Sequence, residues 1–253
     1  MSHSNIDIKY NNSKSNIEAQ PKSKPKEDKY GDDTMFESWA DINIFFPIAQ
    51  KLIDPLYNMG LTPNMVTILS TIFTFLSIYF LHLDKRTHAF LAYTFGYILD
   101  CVDGRMARKY SMGSEIGMAL DCTSDNISNG ILFAYLLFNR SLNLTNITII
   151  SSVAVMSYML AISYGLNEAI ASYEATGSDN FYERRKKQLE GKGCGLEYLL
   201  YKIFIYINKV SYHTYRGFFK TFDKEKIYSW LTILKHFGPG NYCLFIAILL
   251  LFI

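Results

Sequence analysis

An all-α, polytopic membrane helix bundle with an N-terminal juxtamembrane amphipathic helix is the fold class this 253-residue sequence predicts. Three observations carry that reading. Leu61–Leu83 holds no Asp, Glu, Lys or Arg and is long enough for a hydrocarbon core of about 30 Å. Further apolar stretches follow over about 88–106, 117–138 and 147–170. The aspartates within these stretches gather at one place, around Asp100–Asp125, instead of scattering through the spans.

Composition narrows the class further. The chain is 49% hydrophobic and 15% aromatic, yet its first thirty or so residues contribute almost none of this. Residues 1–33 are rich in Asn, Ser, Lys and Pro and have no apolar core of signal-peptide length. They are expected to be a disordered polar tail, because too little apolar surface is present to offset chain entropy. A net charge of +2, with no basic cluster interleaved with aromatics, gives no support for a nucleic-acid partner. Four cysteines without a C-x2-C pair exclude a disulfide framework, and Cys101 and Cys122 read as small helix-packing residues.

Each element has its own signals. Over 34–58, Met35, Trp39, Ile42, Phe46, Ala49, Ile53 and Leu56 recur at steps of three and four. That periodicity predicts an amphipathic helix lying in the membrane interface, bent near Pro47. The first span opens on Thr62-Pro63, a hydroxyl cap followed by proline in the first turn. Asn64 and Thr67, three residues apart, share a face that can meet the aspartates. The loop before the fourth span holds sequons at Asn139, Asn143 and Asn146, too close to the bilayer for efficient glycosylation. Residues 196–237 read as interfacial helices, since Lys202 and Lys209 interrupt Tyr198–Ile207. Gly238-Pro239-Gly240 breaks the chain, and 241–253 is a partial span that completes a membrane domain over 59–253. Basic loop residues number eight on the side of the aspartates and three on the other, which predicts that the aspartates face the cytoplasm.

Ionisable residues at membrane depth are costly and mark function. Asp100 and Asp103 are i, i+3, while Asp121 and Asp125 are i, i+4, so each pair occupies one helix face. The polar turn Lys109–Gly113 reverses the chain and brings the pairs together. Four carboxylates at one surface need positive charge, and hard divalent cations take oxygen ligands of this kind.

The spacing D-x2-D-G-x2-A-R-x8-G-x3-D-x3-D, filled by Asp100, Asp103, Gly104, Ala107, Arg108, Gly117, Asp121 and Asp125, resembles the signature of the CDP-alcohol phosphotransferases. Eight specified positions coincide by chance on the order of once in 10¹⁰ starts. The resemblance implies a membrane enzyme that moves a substituted phosphate from a CDP-alcohol to an acceptor alcohol, releasing CMP, in phospholipid synthesis. It implies two Mg²⁺ or Mn²⁺ ions on Asp100, Asp103, Asp121 and Asp125, with Asp125 as the base for the acceptor hydroxyl. Asn64, Thr67, Gly104, Ala107, Arg108, Ser114 and Gly117 are then expected at the nucleotide and its phosphates. Family members normally have six spans and can dimerise through them. A eukaryotic source would imply the endoplasmic reticulum.

The Asp-His-Gly-x-Asp wording of choline and ethanolamine enzymes is missing at Asp121–Asp125, which favours CDP-diacylglycerol as donor. Asn126 stands where many phosphatidyltransferases carry a cation, which favours a neutral acceptor. The alternatives are a choline or ethanolamine phosphotransferase, and an inactive truncated scaffold of the same family. A cation transporter predicts acids spread through the depth of several spans, unlike these.

Overall fold

The computed structural model describes residues 36–138 and 144–253, and among these residues every regular element is helical. The expected tail (1–33) and the sequons at Asn139 and Asn143 lie outside the described residues, while Asn146 is buried. In order, a π-turn (Asp41–Phe45) leads into α1 (Phe46–Asn58). Then come α2 (Pro63–His82), α3 (Arg86–Lys109), α4 (Glu115–Phe138) and α5 (Leu144–Thr176). The chain continues with α6 (Phe181–Leu189), α7 (Gly195–Phe218), α8 (Lys224–Leu234), a 3₁₀ turn and α9 (Pro239–Phe252).

Six of these helices close a ring. α2 packs on α3, α3 on α9, α9 on α5, α5 on α7, α7 on α4, and α4 on α2. By length and composition, Pro63–His82, Thr145–Thr176 and Lys224–Phe252 are apolar enough to cross a membrane. The polarity of α2 is inside-out. Thr67, Ser70, Thr74 and Ser77 are buried, whereas Met65, Ile68, Ile72, Phe75 and Tyr79 point outward. Water would select the reverse arrangement; lipid selects this one. The chain is an integral membrane protein.

Small residues set how closely the helices approach. Thr74 and Ser77 each donate a hydroxyl to a carbonyl three or four residues back, which satisfies both groups within α2. Gly96 of α3 fits against it: a Cβ there would stand 3.1 Å from the Ser70 carbonyl oxygen and 3.2 Å from Thr74 Oγ1. Gly96→Leu is therefore expected to force α2 and α3 apart, at about 1–3 kcal/mol. A lower melting temperature of the detergent-solubilised protein would register it.

Residues 195–218, inside the segment read as interfacial helices, form one unbroken helix with Lys202 and Lys209 on its outward face. The Lys202 Nζ lies over the Tyr198 ring at 4.4 Å, so its apolar stem covers the helix while the charge reaches outward. The inward face of α7 is Tyr201, Phe204, Asn208 and Tyr215, and Gly165 of α5 lets Tyr215 approach closely. One expectation is corrected, in the juxtamembrane stripe. Trp39 is 57% exposed, while Ala40, Phe45, Ala49 and Ile53 are buried. The π-turn widens the helix just before Pro47 and rotates the register. It also turns Asp41, a charged residue outside that apolar stripe, into the interior, where it is 1% exposed.

Candidate active site

Thr62 caps α2 as its sequence predicts, its hydroxyl accepting from the Met65 N–H at 3.4 Å. Pro63 fills the first turn, and the helix then presents Asn64 and Thr67 one turn apart. Thr67 Oγ1 donates to Asp103 Oδ2 at 2.5 Å. Asp103 is 4% exposed, nearly two turns before the end of α3.

At the start of α4, Ser114 is the cap. Its hydroxyl accepts from the Gly117 N–H at 3.0 Å, and its carbonyl starts the helix at Met118. Two turns on come Asp121 and Asp125. The two motif helices thus converge as the spacing requires, and carboxylate oxygens of Asp100, Asp103 and Asp121 all lie within 4.8 Å of one another. Asp125 closes the group, its carboxyl hydrogen-bonded to that of Asp100. Asp100 Oδ1 is buried and has no hydrogen-bond partner. Acids this close and this buried repel strongly unless a cation lies among them. An all-oxygen donor set with an orphaned carboxylate oxygen fits a hard divalent ion.

The remaining motif residues shape the surroundings. Gly117 faces Asn64, since a Cβ there would stand 2.7 Å from Asn64 Oδ1. Its smallness therefore makes room for α2. Gly104 makes room for the Arg108 guanidinium, with Nη1 3.2 Å from where a Cβ would be. Ala107 is half-buried on the same helix. Arg105 is buried under Phe46 of α1, its guanidinium carbon 3.9 Å from the ring centroid, so it is a packing residue. At the end of α3, Lys109 and Tyr110 both bind Asp54 of α1, at 2.8 and 2.7 Å. These hydrogen bonds hold the Asp54 carboxyl below its usual range, Lys109 contributing most.

The structure adds α6 to the site, which the sequence reading treated as loop charge. Leu189 packs in one cluster with Ala119 and Cys122, the neighbours of Asp121. Gln188 and Lys192 hold Glu115, at the first turn of α4, at 3.3 and 2.9 Å. Lys192, then Gln188, keep the Glu115 carboxyl below the ordinary glutamate value. One turn before Leu189, Arg185 binds the buried Glu168 of α5 at 3.2 Å, with Arg184 3.6 Å from the same oxygen. The Nε–H groups of both arginines are buried without an acceptor. Asn126, by contrast, is exposed and bonded back to the Cys122 carbonyl. Cys101, Cys122, Cys194 and Cys243 are all free thiols.

Comparisons with known proteins agree with this geometry. Residues 60–180 match the family model described as CDP-alcohol phosphatidyltransferase. A phosphatidylinositol phosphate synthase of Mycobacterium bovis is 32% identical over 130 residues, covering 48% of this chain and 58% of the relative. An archaetidylinositol phosphate synthase of Pyrococcus horikoshii is 37% identical over 79 residues, 31% of this chain and 42% of the relative. An uncharacterized Aquifex aeolicus protein is 32% identical over 94 residues, 36% of this chain and 48% of the relative. The chain thus spans about half the length of the curated relatives it matches. No solved structure matches it significantly. With every signature position filled, and with the aspartates of α3 and α4 brought to one place beside Thr67, residues 60–180 form a CDP-alcohol phosphatidyltransferase segment.

Proposed function

We propose that this chain transfers a phosphatidyl group from CDP-diacylglycerol to the hydroxyl of a phosphorylated polyol, releasing CMP. The observation that carries the reading is the convergence of Asp100, Asp103, Asp121 and Asp125 at one end of the helix ring, next to Thr67 and Asn64. These aspartates would hold two Mg²⁺ or Mn²⁺ ions, which when bound neutralise the pyrophosphate and polarise the phosphorus.

The protein's own residues do the rest. Thr67 orients Asp103 through its hydroxyl, Gly117 leaves space beside Asn64, and Arg108 offers a fork to phosphate across Gly104. Asp125 accepts the proton of the acceptor hydroxyl as its oxygen bonds to the diacylglycerol phosphorus. The phosphoanhydride bond breaks, and CMP leaves with the electron pair. A lipid donor reaches the site from the bilayer, and the excess of basic residues on this side supports a site at the cytoplasmic face.

The choice of acceptor rests on two supports. Two of the relatives are named for phosphorylated inositol products. In addition, α6 carries Arg184 and Arg185, each with an unmet Nε–H donor, and the end of that helix is tied to the first turn of α4 by the Gln188 bond to Glu115. That cationic pair offsets the argument from Asn126 for a neutral acceptor. A CDP-choline or CDP-ethanolamine enzyme acting on diacylglycerol would have no use for it.

The test is CMP release by the purified chain in nanodiscs with Mg²⁺. It pairs CDP-diacylglycerol or CDP-choline with inositol 1-phosphate, glycerol 3-phosphate, inositol or diacylglycerol. The expected result is release only with CDP-diacylglycerol and a phosphorylated acceptor, abolished in Asp125→Asn. Release with CDP-choline and diacylglycerol, or no release from folded protein with any pair, would overturn the reading.

A further inference from the structure

Ser38 and Asp41 lie outside the matched segment, yet they form a densely bonded buried polar cluster next to the site. Ser38 Oγ donates to Asp41 Oδ2 at 2.7 Å and accepts from the Asp41 N–H at 3.3 Å, a reciprocal cap on the first turn of the juxtamembrane helix. The same two side chains seize the start of α9, some 200 residues later in the chain. The Gly240 N–H donates to Asp41 Oδ2 at 3.0 Å, and the Asn241 N–H donates to Ser38 Oγ at 3.1 Å. Asn241 Oδ1 returns a bond to the Ala40 N–H at 2.9 Å. A carboxylate at a helix N-terminus satisfies amides that have no partner within their own helix and meets the positive end of the dipole. Gly240 has to be glycine, because a Cβ there would collide with the Asp41 carboxyl.

The remaining oxygen, Asp41 Oδ1, accepts the Tyr97 hydroxyl at 2.7 Å, and Phe45 meets the Tyr97 ring edge-on at 4.8 Å. Tyr97 belongs to α3, one turn before Asp100, and so lies on the same helix face as that aspartate. A second tyrosine acts one turn earlier. Tyr93 donates to Asn129 Oδ1 at 3.1 Å, and the Asn129 amide donates to the Asp125 carbonyl at 2.9 Å. The turn of α3 that presents Asp100 is thus pinned from outside the motif at Tyr97 and tied to α4 at Tyr93. Asp100 is bonded to Asp125 through its carboxyl, but its buried Oδ1 has no partner, so where that oxygen stands depends on the backbone beneath.

From this we infer that Asp41 is a positioning residue for the metal site: with Ser38, Gly240 and Tyr97 it clasps the juxtamembrane segment and α9 to α3 and so sets the position of Asp100. The inference rests on the metal reading of the aspartates proposed above. It assigns the segment before residue 60 and the last helix a part in metal binding.

The experiment measures Mn²⁺ binding to the full chain in nanodiscs by electron paramagnetic resonance, which needs no turnover. Asp41→Asn turns an acceptor toward either Tyr97 or Gly240 into a donor, whereas Tyr97→Phe deletes one hydroxyl and keeps the ring on Phe45. Each is expected to weaken Mn²⁺ binding about tenfold, the lower range for residues that orient metal ligands. The double variant should be no weaker than the worse single one, because both act through one bond. Half-saturating Mg²⁺ for CMP release should rise by the same factor, with the rate at saturating metal largely kept. If both singles melt lower but bind Mn²⁺ like the parent, the clasp is structural only and the inference fails. Should Asp41→Asn not fold, Tyr97→Phe alone decides. A parent chain that binds no Mn²⁺ overturns the metal reading itself, a different result from a parent that binds and variants that match it.

Discussion

Asp103→Asn is expected to slow CMP release by about 10²–10⁴-fold, while making the metal-free protein more resistant to heat. The two effects share one cause. Asp103 stands with Asp100 and Asp121 in a group whose oxygens lie within 4.8 Å of each other, and it is nearly inaccessible to solvent. A bound divalent ion stabilises developing charge by several kcal/mol, and about 3–5 kcal/mol corresponds to that loss of rate. Asparagine still accepts the Thr67 hydroxyl, so local packing survives and the loss reports the missing charge. Without metal, however, the parent holds like charges together in a medium that screens them poorly, and removing one charge relieves that repulsion. Thr67→Val serves as the graded comparison. It removes the group that orients Asp103 and leaves the carboxylate, so a loss of about tenfold is expected. Rate measurements at several Mg²⁺ concentrations, with melting curves in a chelator, check both halves. An Asp103→Asn that keeps near-parental turnover would remove this residue from the metal site.

Arg185→Gln carries the second large effect. The variant should raise the KM for a phosphorylated acceptor about 10–100-fold, the worth of one charge-assisted hydrogen bond of roughly 1.5–3 kcal/mol. The KM for the CDP-linked donor should not move. Glu168 remains compensated, because Arg184 stands 3.6 Å from the same carboxylate oxygen. That residual pairing separates two roles. If Arg185 serves only to neutralise Glu168, the variant lowers the melting temperature and leaves the acceptor KM alone. If it also binds acceptor phosphate, the KM moves more than stability does, and inositol should gain relative to inositol 1-phosphate. Steady-state kinetics with both acceptors distinguishes the outcomes.

What the sequence determined by itself was whatever depends on short spacing. The i, i+3 and i, i+4 aspartate pairs could present their acids on one face only if 86–109 and 115–138 were helices, and both are. Thr62-Pro63 starts α2 because a hydroxyl cap and a proline act within a single turn. The uncharged run Leu61–Leu83 needed nothing beyond its length and apolarity to be recognised. The family resemblance followed from the same local order, since all eight signature residues fall within 26 positions, Asp100 to Asp125.

The tertiary structure alone decided what depends on partners far along the chain. Lys202 and Lys209 interrupt the apolar run of Tyr198–Ile207, and only the fold shows that 195–218 is a single helix with Tyr201, Phe204, Asn208 and Tyr215 turned inward. Asp41 looked solvated because the helical register that exposes it is undone by the π-turn, and its donor Gly240 is 199 residues away. Its partnership with Ser38 was in principle legible, as a Ser-x-x-Asp cap, but nothing local pointed to α9. Arg184 and Arg185 counted equally as cytoplasmic charge, and only the fold shows both on the buried Glu168 of α5. A charge in a list has no environment. Burial supplies one, and in this chain it separates Arg105, packed under Phe46, from the arginines of α6, which keep unmet Nε–H donors next to Glu168.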